Sequence, residues 1–225
     1  AARSRPPARD LVAALRRPGL QVIAEIKRRS PSAGVIAADL DPAGRARAYA
    51  TGGAAAISVL TEPDFFGGSI ADLRAVRDAV DVPVLRKDFT VSPAQVWEAR
   101  AAGADAVLLI VAALSASRLG ELLATAREAG LAALVEAHTS QEAAVACRAG
   151  AELVGVNNRD LATFRTDLGV AEAVASHLPE GAVRVAESGV STPEGAERMW
   201  AAGYDAILVG EALVRADDPA GLLAR

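Results

Sequence analysis

The sequence is short of the residues that build several common kinds of functional centre. Cys147 is the single cysteine in 225 residues, which excludes an internal disulfide framework and a cysteine-ligated zinc cluster. The two histidines, His138 and His177, lie far apart with no carboxylate spacing around them, so no metal is expected. No apolar run reaches the ~18 residues of a membrane span, and no membrane association is expected. Neither sign of charge dominates: 24 basic and 28 acidic residues leave a net charge of -4, which gives no electrostatic reason to bind nucleic acid. The Gly-x-Gly-x-x-Gly turn of a doubly wound dinucleotide fold is absent after the first apolar run, where Ile23-Ala-Glu-Ile-Lys-Arg-Arg-Ser-Pro31 stands instead. The start lacks the charged-then-apolar order of a signal peptide, so a cytoplasmic protein is expected.

Apolar residues are plentiful. At 52% hydrophobic and 23% charged, the composition rules out disorder as the main state, and the length suffices to bury a sizeable core. A repeated pattern organises that material: a small-residue helix end, a glycine, then a short apolar run. It occurs as Gly53 to Leu60, Gly103 to Ile110, Gly150 to Asn157 and Gly203 to Gly210, with a shorter version from Gly130 to Glu136. Glycine tolerates the left-handed conformation that ends a helix, and the run after it suits a strand buried on both faces. Val22 to Ile26, Val82 to Arg86 and Val183 to Ala186 complete eight candidate strands, spaced roughly 20 to 33 residues apart, the length of a βα unit. Amphipathic stretches such as Leu73 to Val80 and Leu119 to Arg127 lie between them. Pro93, Pro193 and Pro219 mark first helical turns, with Ser92, Thr192 and Asp218 as N-caps.

Strict alternation predicts a parallel sheet with helical crossovers, and eight units predict a single-domain (β/α)8 barrel over residues 21–225. Residues 1–20 are expected to form a leader and a short helix, with Ala1 to Pro7 loose. Little chain remains after Asp218 for a last helix.

Polar residues gather at the C-terminal ends of these strands: Glu25 and Lys27 on strand 1, Lys87 after strand 3, Glu136 after strand 5, Asn157 closing strand 6, Glu187 and Ser188 closing strand 7. Polar groups in a buried strand are costly unless paired or functional, and barrel active sites lie at that rim. Glu25 and Lys27, two apart, point to one side. Two ammonium groups and three carboxylates converging there would suit proton transfers on an anionic substrate. Each residue also has a plainer reading. Lys27 opens a Lys-Arg-Arg-Ser-Pro stretch that fits a solvated basic loop or a kinase-type Ser-Pro site. Lys87 could pair with Asp88, Glu136 could be a helix N-terminal acid, Asn157 and Asn158 could be turn formers, and Glu187-Ser-Gly could be a tight turn.

The chain's end points to phosphate. Gly189 after strand 7 and Gly210 after strand 8 would let the backbone approach an anion, and Glu211 to Val214 would supply the short extra helix often found there. Two ordinary turns are the alternative. Phe65, Phe66 and Phe89 near one rim suggest an apolar wall for a flat ring, or local loop packing. Cys147, Trp97, Met199 and Trp200 read as helical packing residues, and His138 as a contact at the rim.

Taken together, these segments resemble the indole-3-glycerol-phosphate synthase family. The resemblance is carried by Ile23 to Ser32, Val59-Leu-Thr-Glu62, Phe66-Gly-Gly-Ser69, Leu85-Arg-Lys-Asp-Phe89, Leu134-Val-Glu-Ala137, Gly155 to Leu161, Ala186-Glu-Ser-Gly-Val190 and Val209-Gly-Glu211. It implies a carboxy-lyase of tryptophan biosynthesis that is monomeric, uses no cofactor, and takes a phosphorylated small-molecule substrate. That substrate, 1-(2-carboxyphenylamino)-1-deoxyribulose 5-phosphate, is closed to an indole with loss of carbon dioxide and water. By the same resemblance, Lys87 is the general acid, Glu136 the general base, Lys27 the partner of the substrate carboxylate and the acid in dehydration, and Glu25 its orienting group. Asn157, Arg159, Glu187 and Ser188 hold the hydroxyls and lysines. Ser30, Gly189, Gly210 and the Glu211 amide bind phosphate, while Pro31, Phe66, Phe89 and Leu108 line the ring pocket. The family usually carries a longer segment before strand 1 that covers the barrel mouth, so a shortened cover is expected here. Glu211 stands where other members have serine, and Arg86 where some have an apolar residue. Phosphoribosylanthranilate isomerase, a neighbouring phosphate barrel, fits less well, since its cysteine base after strand 1 and aspartate acid after strand 5 are replaced here by Glu25, Lys27 and Glu136. A barrel kept as a non-catalytic scaffold is the third reading.

Overall fold

The glycine-then-apolar repeats become the strands of one closed sheet. The computed structural model describes residue 2, residues 5–160 and residues 162–224. Ala1, Arg3 and Ser4 of the expected leader, and Leu161 at the end of the Gly155 motif, lie outside the described residues. The barrel strands are β1 (Gln21–Ile26), β2 (Ala56–Leu60), β3 (Val84–Lys87), β4 (Ala106–Ile110), β5 (Ala132–Ala137), β6 (Leu153–Asn157), β7 (Val183–Glu187) and β8 (Ala206–Val209). Each is parallel to its neighbours in sequence, and β8 pairs back onto β1 with Ile23 opposite Leu208, closing a (β/α)8 barrel. A two-stranded antiparallel ribbon, Arg29–Ser30 with Gly34–Val35, follows β1.

The helices are α1 (Leu11–Leu15), α2 (Pro42–Thr51), α3 (Pro63–Phe66), α4 (Ile70–Ala79), α5 (Pro93–Ala102), α6 (Ala116–Ala129), α7 (Ser140–Arg148), α8 (Gly169–Ala175), α9 (Pro193–Ala201), α10 (Glu211–Arg215) and α11 (Pro219–Leu223). Helix starts follow the expected chemistry. The Thr192 hydroxyl accepts from the Gly195 amide, the Asp218 carboxylate from the Gly221 amide, and the Gln95 side chain folds back to the Ser92 amide. The glycines that open the repeats, Gly53, Gly103, Gly130, Gly150 and Gly203, all have positive φ. Strand 3 is displaced from its expected start at Val82, because Pro83 has no N–H to give the ladder; it begins at Val84 and includes Lys87.

Two apolar layers result. The outward faces of the strands pack against the surrounding helices, burying residues such as Val107, Leu109, Leu122 and Met199. Inside the barrel, Ile23, Leu85, Leu108, Leu134, Val185 and Leu208 form a second cluster, which Leu11 and Leu15 of α1 join from the N-terminal end. The leader is less loose than expected. The Arg5 guanidinium donates to the Ala101 carbonyl, Arg100 donates to the carbonyls of Arg5 and Pro6, and the Arg9 amide donates to Asp105. From Arg5 onward the segment is therefore pinned to the bottom of the barrel, ahead of α1.

Candidate active site

Side chains alternate along a strand, so each interior row runs in steps of two. Ile23 is followed by Glu25, Leu85 by Lys87, Leu134 by Glu136 and Val185 by Glu187, while Leu153 leads through Gly155 to Asn157. Each apolar row thus ends in a polar group at the C-terminal mouth, and these groups line one cavity of about 150 Å³. It is walled also by Pro31, Leu60, Phe66, Phe89, Leu108, Arg159, Ser188 and Gly210.

Lys87 stands at the centre of its charges. Its Nζ donates to Glu187 Oε2 at 3.0 Å and to Glu136 Oε2 at 3.3 Å, with only 14% of the lysine side chain exposed. The plainer alternative, a Lys87 ion pair with Asp88, is not formed; Asp88 pairs with Arg86 instead. Burial alone would lower the Lys87 pKa, but the Glu187, Glu136 and Glu25 carboxylates outweigh it and raise the pKa above the ordinary lysine value. The two carboxyls flanking it are driven apart. Burial pushes Glu187 up to about 8, helped by the nearby charge of Glu136. Burial also opposes ionisation of Glu136, yet Lys87, His138 and the Asn157 amide more than offset it and hold Glu136 below the usual carboxylate range. Asn157 Nδ2 donates to Glu136 Oε1 at 3.2 Å, and its Oδ1 accepts the Arg159 amide. The cup therefore favours an ionised Glu136 and a charged Lys87 and holds Glu187 toward its protonated form.

The second ammonium lies beside the first set. Lys27 Nζ donates to Glu25 Oε1 at 2.7 Å, as expected for neighbours two apart on one strand. Despite its burial, Glu25 is held below the normal range by Lys27 and Lys87. Two glycines make room for these groups. A Cβ on Gly210 would stand 2.5 Å from Glu25 Oε1 and 2.8 Å from Lys27 Nζ, and one on Gly155 would stand 2.1 Å from Glu187 Oε1. In the sequence Gly155 reads as part of a strand and of the Gly155 to Leu161 motif, with nothing to show that it makes room for Glu187.

The remaining expected residues divide. Ser30 is buried, its hydroxyl accepting the Ala33 amide. Ser188 takes a left-handed backbone at φ 64, unusual for a residue with a side chain, and Gly189 follows with φ 84. Glu211 opens α10, and its carboxylate turns along the helix to Arg215, leaving its amide toward the N-terminal end. Arg159 reaches to the Ser32 hydroxyl, linking the loops after β6 and β1. Of the three phenylalanines, Phe66 and Phe89 line the cavity with ring centroids 6.5 Å apart. Phe65 is 58% exposed and is not among the lining residues, so that part of the aromatic wall is corrected. The third lining ring is Phe164, carried by the loop after β6 at φ 58. Glu62 also lines the cavity; its carboxylate caps α3 by accepting the Asp64, Phe65 and Phe66 amides, which fixes the helix that presents Phe66.

Arg86 faces outward from β3 and is 4% exposed. Its guanidinium donates to Thr61 Oγ1, the Gln95 carbonyl and Asp88, and pairs with Glu98. This bracket fixes the turn that leads from Lys87 to Phe89. Asn158, also buried, ties the Glu187 and Ser188 carbonyls to the start of α8 through the Ala171 amide. It is a structural turn residue, unlike its neighbour Asn157. Among the described residues no group of three or more His, Cys, Asp or Glu side chains is arranged to hold a metal ion, and no helix is long and apolar enough to cross a membrane.

The family model described as indole-3-glycerol phosphate synthase matches residues 1–224. A protein of that name from Mycobacterium avium (strain 104) is 54% identical over 224 residues, covering 100% of this chain and 82% of the relative. Another of that name, from Kineococcus radiotolerans, is 57% identical over 201 residues, covering 89% of this chain and 73% of the relative. Among solved structures, an N-acetylmannosamine-6-phosphate 2-epimerase from Clostridium perfringens is similar with a TM-score of 0.70 at 15% identity, covering 93% of each chain; that likeness concerns the fold.

Proposed function

The chain belongs to the indole-3-glycerol phosphate synthase family, and from that premise we propose how its side chains divide the work. The reaction closes the ring of 1-(2-carboxyphenylamino)-1-deoxyribulose 5-phosphate and releases carbon dioxide and water. It belongs with the carbon–carbon lyases. The difficult moments are the attack of an aromatic carbon on a carbonyl and the later departure of a hydroxyl. Both need a proton donor, and completing the pyrrole needs a base.

Lys87 serves as the donor to the substrate carbonyl, its ammonium also stabilising the oxygen as negative charge develops. Glu136, ionised at rest, serves as the base that takes the ring-nitrogen proton. Environments that push two titratable groups apart separate their roles, and here Glu136 is lowered while Glu187 is raised to about 8. Glu187, neutral, positions Lys87. Because Lys87 and Glu136 touch, each proton gained by Glu136 weakens the field that holds the proton on Lys87, so acid and base act as a linked pair.

Lys27 meets the substrate carboxylate and assists dehydration, steered by Glu25. Asn157 orients Glu136, while Arg159 and Ser188 hold substrate hydroxyls. The amides of Gly189, Gly210 and Glu211, with the Ser30 hydroxyl, receive the phosphate; the Glu211 side chain takes no part. Phe66, Phe89, Leu108 and Pro31 enclose the anthranilate ring. No step requires a resident metal or organic cofactor, since each is a proton transfer or the loss of a leaving group.

The observation that carries this reading is the 3.3 Å contact between Lys87 and an ionised Glu136 inside the mouth of the barrel. The test follows the indole chromophore when the purified chain meets the carboxyphenylamino-deoxyribulose phosphate. Glu136→Gln is expected to lower kcat by at least about 100-fold, and turnover unaffected by that change would reject the assignment.

A further inference from the structure

The overall reaction has a proton balance that the two lysines cannot close alone. Ring closure places one proton on the carbonyl oxygen. The carboxylate then leaves as neutral carbon dioxide, its bonding electrons restoring the benzene ring. The hydroxyl takes a second proton, with Lys27 as its donor, to leave as water; one proton passes from the ring nitrogen to Glu136, and the adjacent methylene gives one of its protons to that nitrogen, so the indole keeps its N–H and a single ring C–H beside it. Two protons are used and one is returned, so each turnover draws one proton from solvent. Lys87 gives its proton at ring closure, before Glu136 gains one, and is recharged inside a cup whose Lys87, Lys27, Glu136 and Glu187 side chains are 14%, 11%, 3% and 1% exposed.

His138 stands on the route. It lies two residues beyond Glu136 on the same interior row, and its Nε2 is 3.5 Å from Glu136 Oε1. That nitrogen is buried and forms no hydrogen bond. Its Nδ1 is 3.3 Å from Glu142 Oε2 on the first turn of α7. The same Glu142 oxygen accepts the His138 amide at 2.7 Å, which holds the carboxylate against the ring. The Glu142 side chain is 24% exposed and reaches solvent. The other charge that bears on the imidazole is Asp160, in the loop after β6. A carboxylate outside, an imidazole between and a carboxylate inside stand in series from water to the proposed base, which itself touches Lys87; the one step without a hydrogen bond is the 3.5 Å approach of Nε2 to Glu136.

We propose that His138 is a proton relay between solvent and Glu136, with Glu142 as its outer station. This rests on Glu136 being the base. Glu142 takes a proton from water and passes it to Nδ1; the Nε2 proton moves to Glu136, and the imidazole changes tautomer without net change of charge. Run in reverse, the same path discharges Glu136. His138 acts through Glu136 and is not among the residues lining the cavity, so it is a positioning and relay residue. A purely structural role, capping the start of α7, would use the His138 backbone amide and leave the ring dispensable.

The test compares kcat and KM of the wild-type chain with His138→Gln, His138→Ala, Glu142→Gln and Glu136→Gln, each with and without added imidazole. Gln at 138 keeps polar contacts but cannot carry a proton. The relay predicts that both His138 variants lose kcat on the order of tenfold with KM little changed. It predicts that imidazole restores turnover to His138→Ala, and that Glu142→Gln shows a smaller loss of the same kind. Full kcat in His138→Gln, or a loss in His138→Ala that imidazole does not restore, would overturn it. Should the His138 variants fail to fold, Glu142→Gln decides, and unchanged kcat there overturns the relay. Undiminished turnover in Glu136→Gln would instead reject the base assignment, a different failure from that of the relay.

Discussion

Replacing Lys87 with methionine keeps most of the side-chain volume and deletes one charge. In the folded protein that charge touches two carboxyls, Glu187 at 3.0 Å and Glu136 at 3.3 Å. Removing one partner of a buried pair costs about 3–5 kcal/mol when the other is left charged. Here only Glu136 is left so, because Glu187 is held neutral up to about pH 8. Glu136 also keeps its Asn157 contact and the facing His138. The expected loss is therefore about 1–3 kcal/mol at pH 8, the range for an under-satisfied buried polar group. It should shrink toward pH 5. Without Lys87 the Glu136 pKa rises above its unfolded value, and stability is then present at low pH and lost as pH rises. Urea unfolding of both proteins at the two pH values reads this directly. The double variant with Glu136→Gln should recover part of the loss at pH 8, giving a non-additive cycle. Turnover should fall by at least about 100-fold throughout. An equal destabilisation at both pH values, or additive single changes, would refute the charge arrangement.

Other expected outcomes follow from the same cup. Glu187, raised from 4.5 to about 8, holds a proton when folded that the unfolded chain releases. Wild-type stability should thus decline from about pH 5 to pH 8, and Glu187→Gln should flatten that decline, measured by denaturant titration; a steeper decline in the variant would contradict the shift. Gly155→Ala would set a Cβ 2.1 Å from Glu187 Oε1 and 3.3 Å from Leu134 Cδ1, so a loss of about 1–3 kcal/mol is expected in thermal unfolding, together with lowered kcat as Glu187 is pushed off Lys87. Wild-type kcat in a folded Gly155→Ala protein would show that Glu187 has no fixed place.

The barrel was legible because its signals are local. A left-handed glycine precedes most of the apolar runs, each short enough to cross the sheet once, as at Gly103 and Gly203; β3, which follows Val80 at the end of α4, is the exception. The cup was legible for a related reason: a charge that closes a buried strand, as Glu136 closes β5, has few structural excuses. What escaped depends on loops that meet across the mouth. Phe164 faces the cavity only because its loop turns through a positive φ, which nothing in its neighbours announces. The Arg86 bracket joins β2, β3 and α5, and a lone arginine inside an apolar strand does not name its partners. Phe65 and Phe66 look alike in sequence, and only the cap by Glu62 decides which of them faces inward. The pinned segment from Arg5 depends on carbonyls of residues nearly a hundred positions away.

The most direct measurement is a structure of the chain bound to a substrate analogue whose carbonyl has been reduced to a hydroxyl, so that ring closure cannot begin. Lys87 Nζ should then lie within hydrogen-bond distance of that hydroxyl and Glu136 within hydrogen-bond distance of the anilino nitrogen, with the phosphate at the Gly189 and Gly210 amides. An analogue bound with its nitrogen and hydroxyl turned away from Glu136 and Lys87 would contradict the account.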